Sequence, residues 1–370
     1  MQNCVRAFIS GALSVSASLL AGPVSAQTVT QHYTQSNLVA DQPGIAAVTD
    51  PNLVNPWGLA RSSTSPWWIS DNGPGLSTLY SGTGAIESLV VTIPPADTNS
   101  QTGTPTGAIY NGGTGFQLAA GKPAVFLFVT EDGTISGWNP VVNPKAAVIV
   151  VNEKEKSVFK GATIATVDVP SLGPTSYLYV ADFRKGRIQI YDSSFKQVPW
   201  SEEFFDDDSL PRGYAPFNVQ NIGGNLYVTY ALQDSAKHDE IDGAGLGFVD
   251  VYSPAGKLLQ RLEHGRWLNA PWGLVEAPSD FGIYSHDVLV GQFGSGEILA
   301  FNPITGRFEG ALQNASNQPI QINGLWGLSF GNGAAAGPAT SLYFSAGSNN
   351  EQDGLFGSIT AVENIQGNDQ

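Results

Sequence analysis

The stretch Pro56-Trp57-Gly58-Leu59 returns twice in this chain, as Pro271-Trp272-Gly273-Leu274 and as Leu325-Trp326-Gly327-Leu328. A phrase that recurs at a wide and nearly constant interval is typical of a repeat protein. Weaker versions fill the segment between the first two copies, so that six units are laid out. Their markers lie roughly 49 to 57 residues apart, which is the length of one four-stranded propeller blade with its loops. The marker residues are Gly58, Gly107, Gly161, Asn218, Gly273 and Gly327.

Short runs rich in β-branched and aromatic residues alternate with turn signals inside each unit, as in many-stranded β proteins. The third unit is the clearest, because residues 177–182 and 186–191 flank a turn and the second run alternates apolar and polar residues. No convincing amphipathic helix follows residue 26. The sequence therefore predicts an all-β, six-bladed β-propeller as a single domain over residues 27–363, with a frayed polar tail at 364–370.

The last unit has three strand-length runs, where we expect four in the other units. A propeller must close its ring without leaving an open strand edge, because unpaired edges promote aggregation. Residues 33–40 have strand character and belong to no other unit. We therefore expect this N-terminal run to supply the outer strand of the last blade and to close the ring.

The first 26 residues have the layout of a secretory signal peptide. Arg6 precedes an apolar run, and Val24-Ser25-Ala26 offers small residues at the cleavage position. We expect cleavage after Ala26 and a secreted or periplasmic protein without a membrane span, since such a span needs about 20 strongly apolar residues. The only cysteine, Cys4, lies within this segment. The mature chain would therefore have neither disulfides nor thiolate chemistry.

The formal net charge of −15 limits the classes of partner. Nucleic acid and anionic lipid are disfavoured, because both select clustered lysine and arginine side chains. Cations, neutral small molecules, carbohydrate or another protein fit better, and we expect a monomer. The simpler interpretation is that the acidity only keeps an exported protein soluble.

The repeated phrase has a physical interpretation. In a propeller the first strand of each blade lines the central channel, where neighbouring blades approach closely. Glycine at the marker position removes a side chain that would collide with the next blade. The adjacent tryptophan and leucine are expected to fill the wedge between neighbouring blades. Stacking of these tryptophans on a carbohydrate is the functional alternative.

Propeller ligands usually bind at one mouth of the channel. This mouth is formed by the loops between the second and third strands and by the segments that lead into the first strands. The loop at 233–242 is the most heavily charged, and it is interpreted either as a functional insertion or as a flexible solvated loop. The loops at 131–132 and 349–353 belong to the same rim. The candidate ligand-binding residues are Asn55, Asp71, Asn72, Asp182, Asn218, Asp234, Lys237, His238, Asp239, His264, Asn269 and Gln292.

Asn218 stands where the other units have glycine. Its side-chain oxygen is a weak candidate for a metal ligand, because calcium sites use such oxygens, and capping a turn or binding water is the structural alternative. No nucleophile elbow, zinc-protease motif or phosphate-binding loop occurs in the sequence. Catalytic residues therefore cannot be named from the sequence.

Residues 55–59, 245–251, 268–274 and 324–328 carry a resemblance to a known family. With the phrases Asn-Pro-Trp-Gly-Leu and Asn-Ala-Pro-Trp-Gly-Leu, the chain resembles exported bacterial propellers related to the NHL-repeat group, whose function is uncharacterised. The resemblance spans nearly the whole mature chain. It implies a six-bladed propeller, and it implies no reaction.

Two functions remain open. The first is an exported binding protein that uses one mouth of the channel for a protein or small-molecule ligand. The second is a calcium-dependent hydrolase or lactonase of the gluconolactonase-like propeller type, which implies bound Ca²⁺. Such propellers place a carboxylate and asparagines around one channel ion. The inner strands of this chain carry no evident glutamate, which is a departure from that pattern.

Overall fold

The computed structural model describes residues 31–170, 172–199 and 204–363. The signal peptide predicted at 1–26 and the tail predicted at 364–370 lie outside these residues. The described chain is almost entirely β-structure, in six antiparallel blades around a central channel, so the predicted six-bladed propeller is confirmed. Within this part of the chain, no helix is both long and apolar enough to cross a membrane.

The first three blades follow one another along the chain, each from its inner strand outward. Blade 1 contains β3–β6, blade 2 contains β7 and β10–β12, and blade 3 contains β13–β15. The strands up to this point are β1 (Gln31–Ala40), β2 (Val48–Thr49), β3 (Pro56–Ala60), β4 (Trp67–Asp71), β5 (Leu76–Tyr80), β6 (Val91–Thr92), β7 (Pro105–Tyr110), β8 (Gln117–Ala119), β9 (Lys122–Pro123), β10 (Phe126–Thr130), β11 (Thr134–Trp138), β12 (Val148–Asn152), β13 (Phe159–Val169), β14 (Gly173–Asp182) and β15 (Arg187–Tyr191).

The last three blades repeat this pattern. Blade 4 contains β16, β17, β19 and β20, with β18 added beside β17, blade 5 contains β21–β24, and blade 6 contains β25–β27. The remaining strands are β16 (Tyr214–Ile222), β17 (Asn225–Gln233), β18 (Glu240–Ile241), β19 (Phe248–Tyr252), β20 (Leu258–Arg261), β21 (Pro271–Glu276), β22 (Val288–Gln292), β23 (Ile298–Phe301), β24 (Phe308–Ala311), β25 (Leu325–Phe330), β26 (Leu342–Ala346) and β27 (Leu355–Glu363). Short helical turns occur at Lys154–Lys156, Gly282–Tyr284 and Ser348–Glu351.

The number of strands differs from the prediction in blade 3. Only the last unit was expected to lack a fourth strand, but the sheet of blade 3 also has three strands in the part of the chain that the structure describes. After β15, the described chain forms a single bridge between Tyr191 and Gln197 instead of a fourth strand.

The ring is closed by the N-terminal strand, as the sequence predicts. β1 pairs antiparallel with β27 from Gln31 opposite Glu363 to Ala40 opposite Leu355. It thereby becomes the outer strand of blade 6, and β2 pairs with its outer edge. The closure also buries side chains, because Tyr33 is 2% exposed and its hydroxyl donates a hydrogen bond to the Phe281 carbonyl oxygen at 3.0 Å.

The marker residues face the next blade around the ring, which confirms the interpretation of the repeated glycine. A Cβ atom added to Gly58 would lie 2.5 Å from the Ala108 nitrogen of blade 2. A Cβ atom on Gly327 would lie 2.6 Å from the Trp57 carbonyl oxygen, across the junction of blades 6 and 1. A Cβ atom does not approach other heavy atoms this closely in proteins, so the blades can approach here only because the marker has no side chain.

The residue immediately before each marker, the pre-marker residue, lies where the strand pairing is irregular. In every inner strand the pairing with the second strand shifts register beside the marker, as in a β-bulge. Bulges re-aim side chains, and here four of the six pre-marker side chains meet in one buried cluster. The pre-marker residues are Trp57, Thr106, Lys160, Phe217, Trp272 and Trp326.

The tryptophans of the phrase therefore have a different role from the one predicted. They do not fill separate wedges between blades, because Trp57, Trp272 and Trp326 come from blades 1, 5 and 6 and pack on one another. The ring centroids of Trp57 and Trp326 are 3.4 Å apart, and Trp272 packs edge-on against both at 5.8 Å. The leucines do occupy separate clusters, as shown by Leu274 and Leu328. We call the buried cluster of Trp57, Phe183, Phe217, Trp272 and Trp326 the aromatic plug.

Candidate functional site at one channel mouth

Lys160 lies against the aromatic plug and is the pre-marker residue of blade 3. Its side chain is 1% exposed, and its ammonium group lies 5.0 Å from the centroid of the Trp57 ring and 5.9 Å from that of Phe217. Aromatic faces attract cations through their quadrupole. The Nε1 group of Trp272 donates a hydrogen bond to the Lys160 carbonyl oxygen at 3.1 Å, which ties this strand to the plug.

Carboxylates from three blades surround this lysine. Glu131, in the turn between β10 and β11, accepts a hydrogen bond from the Lys160 Nζ atom at 2.6 Å. Asp239 lies 3.5 Å from the same ammonium group. Glu240 and Glu351 are both close enough to interact electrostatically with Lys160, and Glu351 also acts on the pKa of Glu240. We call Lys160 and these four carboxylates, with the side chains that hold them, the charged mouth.

The insertion after β17 is an ordered hairpin that delivers three of these side chains. Leu232 and Gln233 of β17 pair with Ile241 and Glu240 of β18. Asp234 organises the turn, because its Oδ1 atom accepts a hydrogen bond from the backbone N–H of His238 at 2.8 Å. The hairpin brings His238, Asp239 and Glu240 to the mouth, and a function for this insertion stays a prediction.

Two asparagines orient the other carboxylates. The Nδ2 group of Asn72 donates a hydrogen bond to Glu131 at 2.8 Å, and the Nδ2 group of Asn55 donates one to Glu351 at 2.7 Å. The backbone at Asn349, Asn350 and Glu351 is left-handed, with φ values of 55°, 53° and 63°. Consecutive non-glycine residues in this region cost roughly 1–2 kcal/mol each. Such strain is concentrated at functional sites in proteins, and here it positions the Glu351 side chain at the mouth.

The pKa values reflect the crowding of charge. Burial, with repulsion from Glu351 and Glu131, raises the pKa of Glu240 to about 7, although Lys160 opposes this shift. Burial also raises the pKa of Glu351. Burial alone would lower the pKa of Lys160, but Glu131, Glu240 and Asp239 together hold it above its ordinary value.

His238 and Asp239 form a close pair. The Nδ1 atom of His238 lies 2.7 Å from an oxygen of Asp239. This hydrogen bond raises the pKa of His238 and lowers the pKa of Asp239 to about 2. The pair is half-exposed, so its hydrogen-bonding atoms are accessible from solvent.

A cleft of about 990 Å³ opens onto the charged mouth between blades 2 and 3. Glu131 and His238 line the side of the cleft next to the mouth, while Lys154, Lys156 and Arg184 line another part of it. Pockets that hold small ligands have volumes of roughly 300–1,000 Å³. The cleft is therefore large enough for a small molecule and reaches the mouth at Glu131 and His238, while the buried aromatic plug packs against Lys160.

The structure brings together part of the predicted set of site residues. Asn55, Asn72, His238 and Asp239 belong to the charged mouth, as predicted from the loop order. The side chain of Asp234 stabilises the hairpin by accepting hydrogen bonds from the backbone N–H groups of His238 and Asp239. Lys237 lies on the same turn and is exposed.

Three of the predicted residues are buried structural groups. Asp71 accepts a hydrogen bond from the backbone N–H of Thr78 at 2.9 Å, and burial raises its pKa. Asp182 accepts hydrogen bonds from the hydroxyl of Ser157 and the amide of Gln189. Gln292 accepts one from the backbone N–H of Asn269 at 2.7 Å. Each side chain is 0% exposed, so none of the three is presented to a ligand at the mouth.

The remaining predicted residues lie apart from the charged mouth. Asn218 donates a hydrogen bond to the Trp272 carbonyl oxygen at 2.8 Å and accepts one from the N–H of Val219 at 2.8 Å, so it acts as a bridge between blades 4 and 5. Asn269 accepts a hydrogen bond from the backbone N–H of Gly243. His264 stacks on Phe248 with ring centroids 4.4 Å apart.

Sequence reasoning missed Lys160 and did not single out Glu131, Glu240 or Glu351. The three glutamates lie in loops that were assigned to the correct rim. Lys160 lies next to the marker Gly161, in the place where three other blades have tryptophan. A comparison of the pre-marker residues was therefore the signal that could have found it, since four of them are aromatic and Lys160 is the one charged residue in that series.

Fold and site together define a six-bladed β-propeller with a closed channel and one charged mouth. Comparison with curated proteins found relatives in Acanthamoeba polyphaga mimivirus. Uncharacterized protein R648 is 33% identical over 332 residues, which cover 87% of this chain and 78% of the relative. Uncharacterized protein L690 is 31% identical over 332 residues, which cover 87% of this chain and 84% of the relative. The chain belongs to the family of these two proteins.

Other comparisons concern the fold. A scan of the chain against models of protein families found no match. Among solved structures, a protein of unknown function from Bacteroides thetaiotaomicron has a TM-score of 0.55 and 10% identity, with 90% of this chain and 77% of that chain covered. At this identity the likeness shows the fold alone. The propeller implied by the resemblance is thus confirmed, whereas its exported and bacterial character stays a prediction.

Proposed function

We propose that this chain is a binding protein that holds a small organic cation, such as an amine, at the charged mouth. One observation carries the proposal: four carboxylates converge around a single buried lysine above a closed aromatic floor. Residues Glu131, Asp239, Glu240 and Glu351 supply the carboxylates, and Lys160 supplies the one ammonium group.

The charges of the mouth do not balance. Lys160 forms ion pairs with Glu131 and Asp239. Within the described chain, Glu240 and Glu351 form no ion pair with a lysine or an arginine. Burial raises the pKa of both groups, and repulsion from neighbouring carboxylates adds to the effect. A positively charged ligand would relieve this repulsion, because an opposite charge within about 4–6 Å favours the ionised form of a carboxylic acid.

The shape of the site supports a small ligand. The cleft beside the mouth is about 990 Å³ in volume, and the plug below it is built from large buried rings. Carbohydrate stacking on the repeated tryptophans has no support, because Trp57, Trp272 and Trp326 are 1%, 4% and 0% exposed. A cation held by carboxylates at the rim fits this geometry better than a sugar held on an aromatic face.

The proposal predicts that putrescine binds and that 1,4-butanediol, its uncharged counterpart, does not. Isothermal titration calorimetry of both probes measures this difference. Glu351→Gln is expected to weaken putrescine binding about tenfold or more, because hydrogen bonds to charged groups contribute about 1.5–3 kcal/mol.

The matched control is Glu309→Gln. Glu309 is an exposed carboxylate on β24, away from the mouth, and its replacement changes the net charge by the same amount. Equal binding of the diamine and the diol, or an equal loss in the two glutamine variants, would show that the mouth does not select a cation.

The calcium-dependent hydrolase stays a prediction, and no observation on the described residues favours it. The side chain of Asn218, which was the candidate metal ligand, uses both of its polar atoms within the scaffold. The inner strand of blade 3 brings Lys160, a residue without a metal-binding oxygen in its side chain, to the floor of the mouth.

Export forms the second part of the proposal and is supported by the sequence of residues 1–26 alone. Expression of the full chain in a Gram-negative host is expected to give a periplasmic protein that begins at Gln27, as measured by intact mass. Leu19→Arg, which interrupts the apolar run, is expected to abolish processing because a signal peptide needs that run. A mass that still includes residues 1–26 would contradict export.

A further inference from the structure

Three metal-ligating side chains meet at the charged mouth. Glu131, His238 and Asp239 each offer a ligand atom, and these atoms lie within 4.8 Å of one another. They come from blades 2 and 4, so the ring places them together across the mouth. A divalent ion at the centre of such a group would be reached by carboxylate oxygens and an imidazole nitrogen, which are ligands that zinc accepts.

An internal cation already occupies the space between two of these ligands. The Lys160 ammonium group lies 2.6 Å from Glu131 and 3.5 Å from Asp239. Its position is independent evidence that the arrangement holds positive charge. Even so, one ammonium group does not neutralise the cluster, because Glu240 and Glu351 add two further carboxylates on the same side.

Neighbouring groups hold the three ligands in place. The second oxygen of Glu131 accepts a hydrogen bond from Asn72 at 2.8 Å, and Asp234 accepts one from the backbone N–H of His238 at 2.8 Å. Side chains that orient metal ligands in this way raise affinity, and their removal typically costs 10–100-fold. The Nε2 atom of His238 makes no hydrogen bond within the described chain.

We propose that Glu131, His238 and Asp239 form a binding site for a divalent transition metal, with zinc as the best fit, in competition with the Lys160 ammonium group. Calcium fits less well, because it takes six to eight oxygen ligands and does not select an imidazole. Three protein ligands would leave one zinc position open. That position would face the cleft, since Glu131 and His238 both line it.

This inference rests on the proposed function only in using the same mouth. It goes beyond that proposal in the class of ligand, because the metal contacts Glu131 and Asp239 at the expense of Lys160. Removing the lysine should therefore strengthen zinc binding, whereas removing a ligand should weaken it. A merely acidic surface would also gain cation affinity without the lysine and lose it without Glu131. The loss expected for His238→Ala, which removes no negative charge, therefore separates a coordination site from surface charge.

The test is calorimetric titration of Zn²⁺ alone into the full-length protein and its variants. We expect one zinc per chain, a loss of about tenfold or more in affinity for Glu131→Gln and for His238→Ala, and a gain of about tenfold for Lys160→Met. The matched control is His264→Ala, which removes an exposed histidine that stacks on Phe248 outside the cluster and should leave zinc affinity unchanged.

Because Lys160 is buried, its variant is accompanied by His238→Ala, whose side chain is half-exposed and whose loss should not prevent folding. Zinc affinity that is equal in the wild type and in His238→Ala would overturn the inference. Putrescine titrated into the same samples separates the two proposals. Diamine binding without zinc binding defeats only the metal site, zinc binding without diamine binding defeats only the organic-cation function, and binding of neither defeats both.

Discussion

The Gly58→Ala variant is expected to unfold with a free energy about 3 kcal/mol below that of the wild type. The added Cβ atom would lie 2.5 Å from the Ala108 nitrogen and 2.6 Å from the Thr106 carbonyl oxygen. Both atoms belong to the backbone of blade 2, which cannot rotate away as the end of a side chain can. Relief of the clash therefore requires the two blades to separate, and urea denaturation followed by tryptophan fluorescence measures the cost.

Two further glycines provide a graded control for Gly58→Ala. At the marker Gly107 the nearest atoms to an added Cβ are 3.1 Å away, so a smaller loss is expected there. At Gly113 the nearest atom is the Asn111 side-chain oxygen at 3.4 Å, which is ordinary van der Waals contact. If Gly113→Ala destabilises the protein as much as Gly58→Ala, close approach of the blades is not the reason for the repeated glycine.

The six-bladed propeller could be predicted from the sequence because neighbouring blades approach closely at the marker residues. A blade can join the ring only if its inner strand tolerates the backbone of the next blade, so the same small residue is required in each unit. Asn218 is the exception, and its amide compensates by donating a hydrogen bond to the Trp272 carbonyl oxygen of blade 5. Because this requirement recurs at a regular interval in the sequence, the number of blades could be predicted from it. The closure by β1 was predicted separately, from the missing fourth strand of the last unit.

The direction in which the tryptophan side chains pack could not be predicted from the spacing of the repeat, because it depends on a local irregularity in strand pairing. The shift in register beside Gly58, Gly273 and Gly327 turns the preceding tryptophan toward the plug. A regular strand would instead have sent it to the face of the blade. The same irregularity brings Lys160 under the charged mouth. The same irregularity therefore explains why the wedge packing predicted for Trp57 was wrong and why Lys160 was not predicted as a site residue.

The sequence assigned the loops of the candidate site and four of its side chains to one rim, but it did not single out Lys160 or the three glutamates. Loop order around the ring follows from the repeat, so the rim containing Asn55, Asn72 and His238 was assigned correctly. Which side chain turns inward depends on backbone conformations that the sequence does not display, such as the left-handed turn at Glu351. Asp71 and Asp182 are instead the last residues of β4 and β14, which lead into such loops, and their side chains are occupied by buried hydrogen bonds.

The Tyr33→Ala variant is expected to lower the free energy of unfolding by about 4 kcal/mol, the usual cost of removing a large buried aromatic side chain. Tyr33 lies on β1, its ring packs 5.0 Å from that of Phe281 between centroids, and its hydroxyl donates a hydrogen bond to the Phe281 carbonyl oxygen. Because β1 reaches blade 6 from the other end of the chain, the loss falls on the closure of the ring. Hydrogen exchange measured by mass spectrometry is therefore expected to accelerate first in β27, the strand that β1 covers.

The neighbouring variant Thr34→Ala separates closure from general damage to the strand. Thr34 lies on the same strand with an exposed side chain, so its replacement is expected to change stability by less than about 0.5 kcal/mol. Tyr33→Phe removes only the hydroxyl and should cost about 1 kcal/mol. If Tyr33→Ala were no more harmful than Thr34→Ala, or if β27 kept its protection, then β1 would pair with blade 6 without holding the ring together. The energy of closure would have to come from the inner strands, where each marker already contacts the next blade.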